Sequence, residues 1–231
     1  DEGSITINDI DVTKMPEYKR AKYIGRVFQD PMVGTAGNMQ IEENLILAMR
    51  RGKSLGLKWA FKDSEQAFFK ERLALLGLGL EDRLSARMGL LSGGQRQRIG
   101  IARALIMQPQ CIICDEPISA LDVSIQVQIM TLLERLQAEH GISYLFISHD
   151  LNMVRYISHR MVVMYLGAVM EEGPALDLYE FPQHPYTRAL TALNGPVMPH
   201  APIGAPLKGD PPNPLDPPKG CLFSGRCPEA E

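Results

Sequence analysis

Residues Leu91 to Asp122 read LSGGQRQRIGIARALIMQPQCIICDEPISALD. Ser92-Gly93-Gly94-Gln95 opens a helical segment with apolar residues at Ile99, Ala102, Leu105 and Ile106. A connection at Gln108-Pro109 leads to Cys111-Ile112-Ile113-Cys114, which runs straight into two carboxylates, Asp115 and Glu116. Four apolar residues without polar alternation predict a strand buried on both faces, as in parallel sheets covered by helices. Ligands of such sheets lie beyond the carboxyl ends of the strands. An Asp at that end is placed to hold Mg²⁺ on nucleotide phosphates, largely through water. A carboxylate one residue later can orient or deprotonate an attacking water. The plain alternative is that Asp115 caps a turn and Glu116 is solvated.

A helix start offers unpaired N–H groups and the positive end of the dipole, and glycine lets a phosphate approach closely. As an ordinary N-cap, Ser92 needs no ligand. The string Leu91-Ser92-Gly93-Gly94-Gln95, then the strand ending in Asp115-Glu116, then Ser119-Ala120-Leu121-Asp122, resembles the signature, Walker B and D-loop series of the ABC (ATP-binding cassette) ATPases. The resemblance implies an α/β fold of the P-loop NTPase kind, with a mostly parallel sheet and an α-helical subdomain. It also implies ATP and Mg²⁺ as cofactors. Ser92, Gly93 and Gly94, with Gln95 completing the signature, would contact the γ-phosphate of an ATP held mainly by a second ATPase subunit. Asp115 would serve Mg²⁺, Glu116 the water, and Asp122 would signal across the dimer.

Ile142 to Ile147 reads as another buried strand, and Ser148-His149-Asp150 follows it; His149 looks like the family's switch histidine at the γ-phosphate. Tyr23 to Phe28 is an apolar-leaning strand that ends in Gln29-Asp30-Pro31, where Gln29 resembles the Q-loop glutamine that senses Mg²⁺ and water near the membrane partner. Ser4 to Val12 reads as a short antiparallel strand pair. In this family such a stretch follows the phosphate-binding helix, so a glycine-rich loop is expected before it. The pattern G-x-x-x-x-G-K-[ST] needs an early glycine and a preceding strand. Gly52-Lys53-Ser54 has Leu47 at the early position and a helical run, LILAMRR, before it, and is rejected. Without such a loop the chain alone should lack most ATP affinity and be inactive. It therefore reads as a fragment whose N-terminal portion was lost, with a degenerate, non-hydrolysing subunit as the rival.

From Asn38 to about Gly89 the pattern turns helical. Ile41, Leu45, Ala48 and Met49 share one face, and Phe68, Leu73 and Leu76 share another; Glu42 and Glu43 fall in a first turn, Arg50 and Arg51 in a last one. This insert corresponds to the family's helical subdomain, which receives a coupling helix from the membrane subunit. Trp59, the single Trp, reads as a subdomain anchor. Ile125, Ile129, Leu132, Leu133 and Leu136 mark an amphipathic helix ending near Gly141. A helix around Leu151 to Ile157 and a strand from Met161 to Leu166 follow, with Met161 and Met164 as core filler. The divisions expected are 1–37 up to the Q-loop, 38–91 helical, 92–173 catalytic core, and 174–231 a C-terminal extension.

Thirteen of the seventeen prolines lie from Pro174 onward. His184-Pro185-Tyr186-Thr187 opens a short helix with proline in its first turn. That string, with Pro211-Pro212 and Gly220-Cys221 through Cys227-Pro228, resembles the extension of importer ATPases for oligopeptides, dipeptides and nickel. Some of those relatives hold an iron–sulfur cluster, so Cys221 and Cys227 are cluster ligands or a pair of reduced thiols, since a cluster takes about four thiolates. Cys111 and Cys114 face opposite sides of a strand and read as small buried hydrophobes. The run Met32 to Asn38 departs from the peptide-importer pattern, which usually has a Ser-Leu-Asn-Pro-Arg-like run there.

The 231 residues are 45% hydrophobic, enough for a substantial core, and the net charge of −3 argues against a nucleic-acid surface. No run of eighteen or more apolar residues exists, and Asp1-Glu2-Gly3-Ser4 is no signal peptide. The expected setting is the cytosolic face of a bacterial inner membrane. The expected partners are a second ATPase subunit, transmembrane permease subunits and, indirectly, a substrate-binding protein. Rival readings are a soluble ABC ATPase of repair or translation and a non-catalytic fragment.

Overall fold

The computed structural model describes all residues except 1, 2, 8, 52–62, 78, 195–206, 208 and 231. Gly52-Lys53-Ser54, Trp59 and the proline-rich run through 196–206 lie outside the described residues. Contacts divide the chain into two compact units, residues 1–147 and 148–231.

The first unit begins with an antiparallel hairpin, β1 (Thr6–Ile7) and β2 (Ile10–Asp11), as its alternation predicts. Next come α1 (Glu17–Arg20), β3 (Ile24–Val27), α2 (Ile41–Met49), α3 (Asp63–Ala74), α4 (Gly93–Leu105), β4 (Cys111–Asp115), α5 (Val123–His140) and β5 (Ser143–Ile147). β3, β4 and β5 form a parallel sheet in that order, with Gly25 opposite Ile112 and Asp115 opposite Ile147. Parallel neighbours require crossover connections, and helices supply them.

Local chemistry explains how the helices seat. A Cβ on Gly25 would stand 3.0 Å from Ile112 Cγ1 and 3.2 Å from Ala104 Cβ, so glycine lets α4 lie close upon β3. α2 starts with a capping box between Gln40 and Glu43, and α5 stops at Gly141, whose φ of 64° is left-handed. Asn44, fully buried, donates to the carbonyls of Ala36 and Gln40 and accepts from Ala36 N–H, fixing the segment before α2.

Four expectations shift. In α3 the buried face is Phe69, Leu73 and Leu76, at i, i+4 and i+7; Phe68 lies five residues from Leu73, off that stripe. Arg50 caps α2 and Arg51 lies beyond it, so neither sits in the last turn. β4 buries Ile112 and Cys114 completely, whereas Cys111 and Ile113 on the other face are half-buried. β5 is a sheet edge rather than a buried strand: Leu145 is 54% and Ile147 47% exposed.

The second unit starts with α6 (Leu151–Ile157), capped by the Asp150 carboxylate, which accepts from Asn152 and Met153 N–H. β6 (Arg160–Tyr165) and β7 (Ala168–Pro174) form an antiparallel hairpin, followed by α7 (Ala175–Glu180) and α8 (Pro185–Leu193). α8 has His184 as its N-cap and Pro185 at its start, as read from the sequence. Phe223, fully buried, packs its ring against Tyr165, Tyr186 and His184 at 5.4, 5.2 and 5.9 Å. Only Met161 of the two β6 methionines fills the core; Met164 faces outward.

Candidate functional site

Side-chain alternation puts Ile113 and Asp115 on the same face of β4, and the register puts Arg26 of β3 opposite Ile113. Arg26 and Asp115 are therefore diagonal neighbours across two strands, within reach for long side chains. Arg26 Nη2 stands 3.0 Å from Asp115 Oδ2. Beyond the strand end, Glu116 donates its N–H to Ile147 O at 2.9 Å, prolonging the ladder by one bond. Its φ is +42°, a left-handed backbone in a residue with a Cβ. Such strain persists only where surrounding bonds hold it, and it turns Glu116 out of the strand's alternation.

Gln29 lies two residues past β3, and its Nε2 donates to Glu116 Oε2 at 3.2 Å. The fold thus brings Gln29, Asp115 and Glu116 to one end of one parallel sheet. Asp115 carboxylate oxygens and the Gln29 amide oxygen are hard donors of the kind Mg²⁺ takes, with its remaining positions left for water and phosphate. The donor chemistry fits Mg²⁺.

Gln97, unmarked in the sequence reading, fixes this end of the sheet. It is 1% exposed, and its Nε2 donates to Phe28 O at 3.1 Å and to Pro117 O at 2.6 Å. Those carbonyls belong to the residues immediately before Gln29 and after Glu116. One amide on α4 therefore ties together the two backbone segments that carry the site. Nothing in the sequence marks Gln97, because its carbonyl partners are 69 and 20 residues away.

Ser92 is the N-cap of α4: its Oγ accepts from Gln95 N–H at 3.3 Å, and Gln95 Oε1 accepts from Ser92 N–H at 3.0 Å. This is a capping box, so both side chains have a structural employment as well as the one the motif suggests. Gly93 and Gly94 form the first turn. A Cβ on Gly94 would meet Ile125 Cγ2 at 2.7 Å, so packing of α4 against α5 already demands glycine there. Asp122 is the N-cap of α5 and makes no side-chain cap bond. His149 follows β5 by two residues and is exposed.

A cavity of about 220 Å³ in the first unit is lined by Gly25, Arg26, Phe28, Gly34, Gln97 and Arg103, among others, and does not include Asp115 or Glu116. Burial lowers the pKa of the Arg103 guanidinium, and the neighbouring Arg51 charge adds to that. Burial also pushes the Cys114 thiol up to about 12, keeping it protonated. Cys221 is exposed and Cys227 half-buried, both free. Among the described residues no group of three or more His, Cys, Asp or Glu is placed to hold a metal ion, and none of their helices is long and apolar enough to cross a membrane.

Comparison with known proteins places these features. Residues 1–119 match the family model described as ABC transporter, and residues 170–231 match the one described as oligopeptide/dipeptide transporter, C-terminal region. The chain is 41% identical to the oligopeptide transport ATP-binding protein AppF of Bacillus subtilis, over the whole chain and 70% of that relative. It is 44% identical to the oligopeptide transport ATP-binding protein OppF of Haemophilus influenzae, over 91% of the chain and 63% of the relative. Among solved structures it resembles an ATP-binding cassette of an ABC transporter in its ADP conformation, with TM-score 0.67 and 28% identity over 81% of this chain and 77% of that one. It also resembles a dimeric post-hydrolysis ATP-binding cassette bound to ADP and Pi, with TM-score 0.60 and 30% identity over 75% of this chain and 74% of that one.

Proposed function

The chain belongs to the ABC transporter family of ATP-binding proteins, and we propose that it is the ATP-hydrolysing component of a bacterial importer that takes up peptides. The observation that carries the catalytic part is the meeting of Gln29, Asp115 and Glu116 at the carboxyl end of β4. Ligands of parallel sheets gather there, and these side chains are the kinds that Mg²⁺-nucleotide chemistry uses.

In this reading Asp115 and Gln29 hold Mg²⁺, and the metal when bound offsets negative charge on the phosphates. Glu116 accepts a hydrogen bond from the attacking water and draws off its proton, while Gln29, already bonded to Glu116, orients that carboxylate. His149 contacts the γ-phosphate side. Ser92, Gly93, Gly94 and Gln95 face an ATP bound by a second ATPase subunit, presenting the helix N-terminus to it, and Asp122 relays between the two subunits. Residues 38–91 serve as the helical subdomain that meets the permease, 1–37 and 92–173 as the catalytic core, and 174–231 as the extension. The peptide cargo is supported by the match over 170–231 and by the names of the relatives. The protein would work peripherally at the cytoplasmic face of the inner membrane, with permease subunits and an external substrate-binding protein. The 231 residues contain no G-x-x-x-x-G-K-[ST] run, so this chain by itself would bind ATP weakly.

The test is ATP turnover by the full-length protein and by Glu116→Gln. The substitution removes the base, with an expected loss of about 100-fold or more in kcat, while ATP binding persists. Turnover at the unsubstituted rate would remove Glu116 from this role and the hydrolytic reading with it.

A further inference from the structure

Arg26 belongs to none of the motifs singled out in the sequence, yet its guanidinium occupies one oxygen of the carboxylate that the functional reading assigns to a metal. Arg26 Nη2 lies 3.0 Å from Asp115 Oδ2, and the guanidinium carbon stands 4.6 Å from the centre of the Phe28 ring. The ring face holds the cation in a preferred stacking position. The stack is built entirely on β3 and its exit, while Asp115 ends β4, so the parallel register itself delivers the cation to the carboxylate. A guanidinium and Mg²⁺ are competing cations for one carboxylate oxygen.

We propose that Arg26 is a built-in counter-cation that holds Asp115 when no metal is present and sets the Mg²⁺ concentration at which the site loads. The inference rests on the reading of Asp115 as the metal residue. Metal entry detaches Arg26 from Oδ2, and metal loss lets it return, so Asp115 is never left as a bare carboxylate at the sheet end. Both side chains are about two-fifths exposed, so the pair is open to exchange rather than locked. Arg26 touches neither substrate nor reacting atoms in this scheme; it acts through Asp115 and is a positioning residue.

The test measures binding of a non-hydrolysable ATP analogue to the full-length protein as free Mg²⁺ is raised, which reads metal loading without turnover. Arg26→Met keeps the length and apolar stem but removes the competing charge, and should lower the Mg²⁺ midpoint by about two- to fivefold, the range an ion pair of this exposure carries. Arg26→Lys keeps a cation and should stay within about twofold of the unsubstituted midpoint. Asp115→Asn serves as the reference for loss of the metal residue. A midpoint unchanged or raised in Arg26→Met, while Asp115→Asn shifts it strongly, overturns the role of Arg26 and leaves Asp115 as the metal residue. A midpoint indifferent to Asp115→Asn overturns the functional reading itself, and this inference falls with it. Matching circular dichroism spectra without metal guard against a folding defect; if Arg26→Met fails that control, a midpoint moved by more than about twofold in Arg26→Lys overturns the inference.

Discussion

Gln97 links the two backbone segments that bear Gln29 and Glu116 through one buried amide. Replacing it by Met keeps the shape and removes both hydrogen bonds, leaving the carbonyls of Phe28 and Pro117 without this donor. The expected cost is about 2 kcal/mol in urea unfolding; a change below about 0.5 kcal/mol would mean that these carbonyls find other partners. Asp115, Glu116 and Gln29 were singled out through the motif series they belong to, since an apolar run followed by acids, or by a glutamine, is by itself an ordinary strand end. Arg26 and Gln97 were not. The partner of Arg26 is 89 residues away and one partner of Gln97 is 69 away, distances that only the sheet register closes. Gly93 and Gly94 were read as room for phosphate, whereas Gly94 also has a packing reason in Ile125.

At the scale of elements, the β6–β7 hairpin and α8 hang on Glu171. Its two carboxylate oxygens accept from the backbone N–H groups of Gln183 and His184, at 2.8 and 3.0 Å, just where α8 begins. Burial opposes ionisation of this carboxyl, but the Thr187 hydroxyl, then the two N–H groups and the nearby His184, outweigh it, so its pKa lies below the ordinary value of 4.5. A depressed folded pKa adds stability that is fully present above the unfolded value and is lost as pH falls through the folded one. Glu171→Gln should therefore melt lower than the unsubstituted chain at neutral pH, and the two melting curves should converge in acid. Equal melting temperatures at pH 7 would show that the contact adds nothing. The hairpin escaped the sequence reading because its turn is Leu166-Gly167, with φ of 49° and 80°, where Asn-Gly or Asp-Gly would have signalled the same conformation. β5 was read as buried because Leu145, Phe146 and Ile147 are apolar; hydropathy does not reveal which strand takes the sheet's edge.

At the scale of the molecule, the fold class was the most legible feature. Apolar strands alternating with amphipathic helices admit few arrangements besides a covered parallel sheet, and β3, β4 and β5 form one. The division into two units at residue 147 was not legible, because β5 runs into Ser148-His149-Asp150 without a change in composition. In the proposed function two copies, or two kindred subunits, share each ATP between the Asp115–Glu116 end of one and the Ser92–Gly94 turn of the other. Sedimentation velocity of the full-length Glu116→Gln protein tests this most directly, since blocked hydrolysis leaves the shared nucleotide in place. With Mg²⁺ and ATP the protein should shift from monomer to dimer, a shift absent with ATP omitted; a sedimentation coefficient indifferent to Mg²⁺-ATP would contradict the shared site.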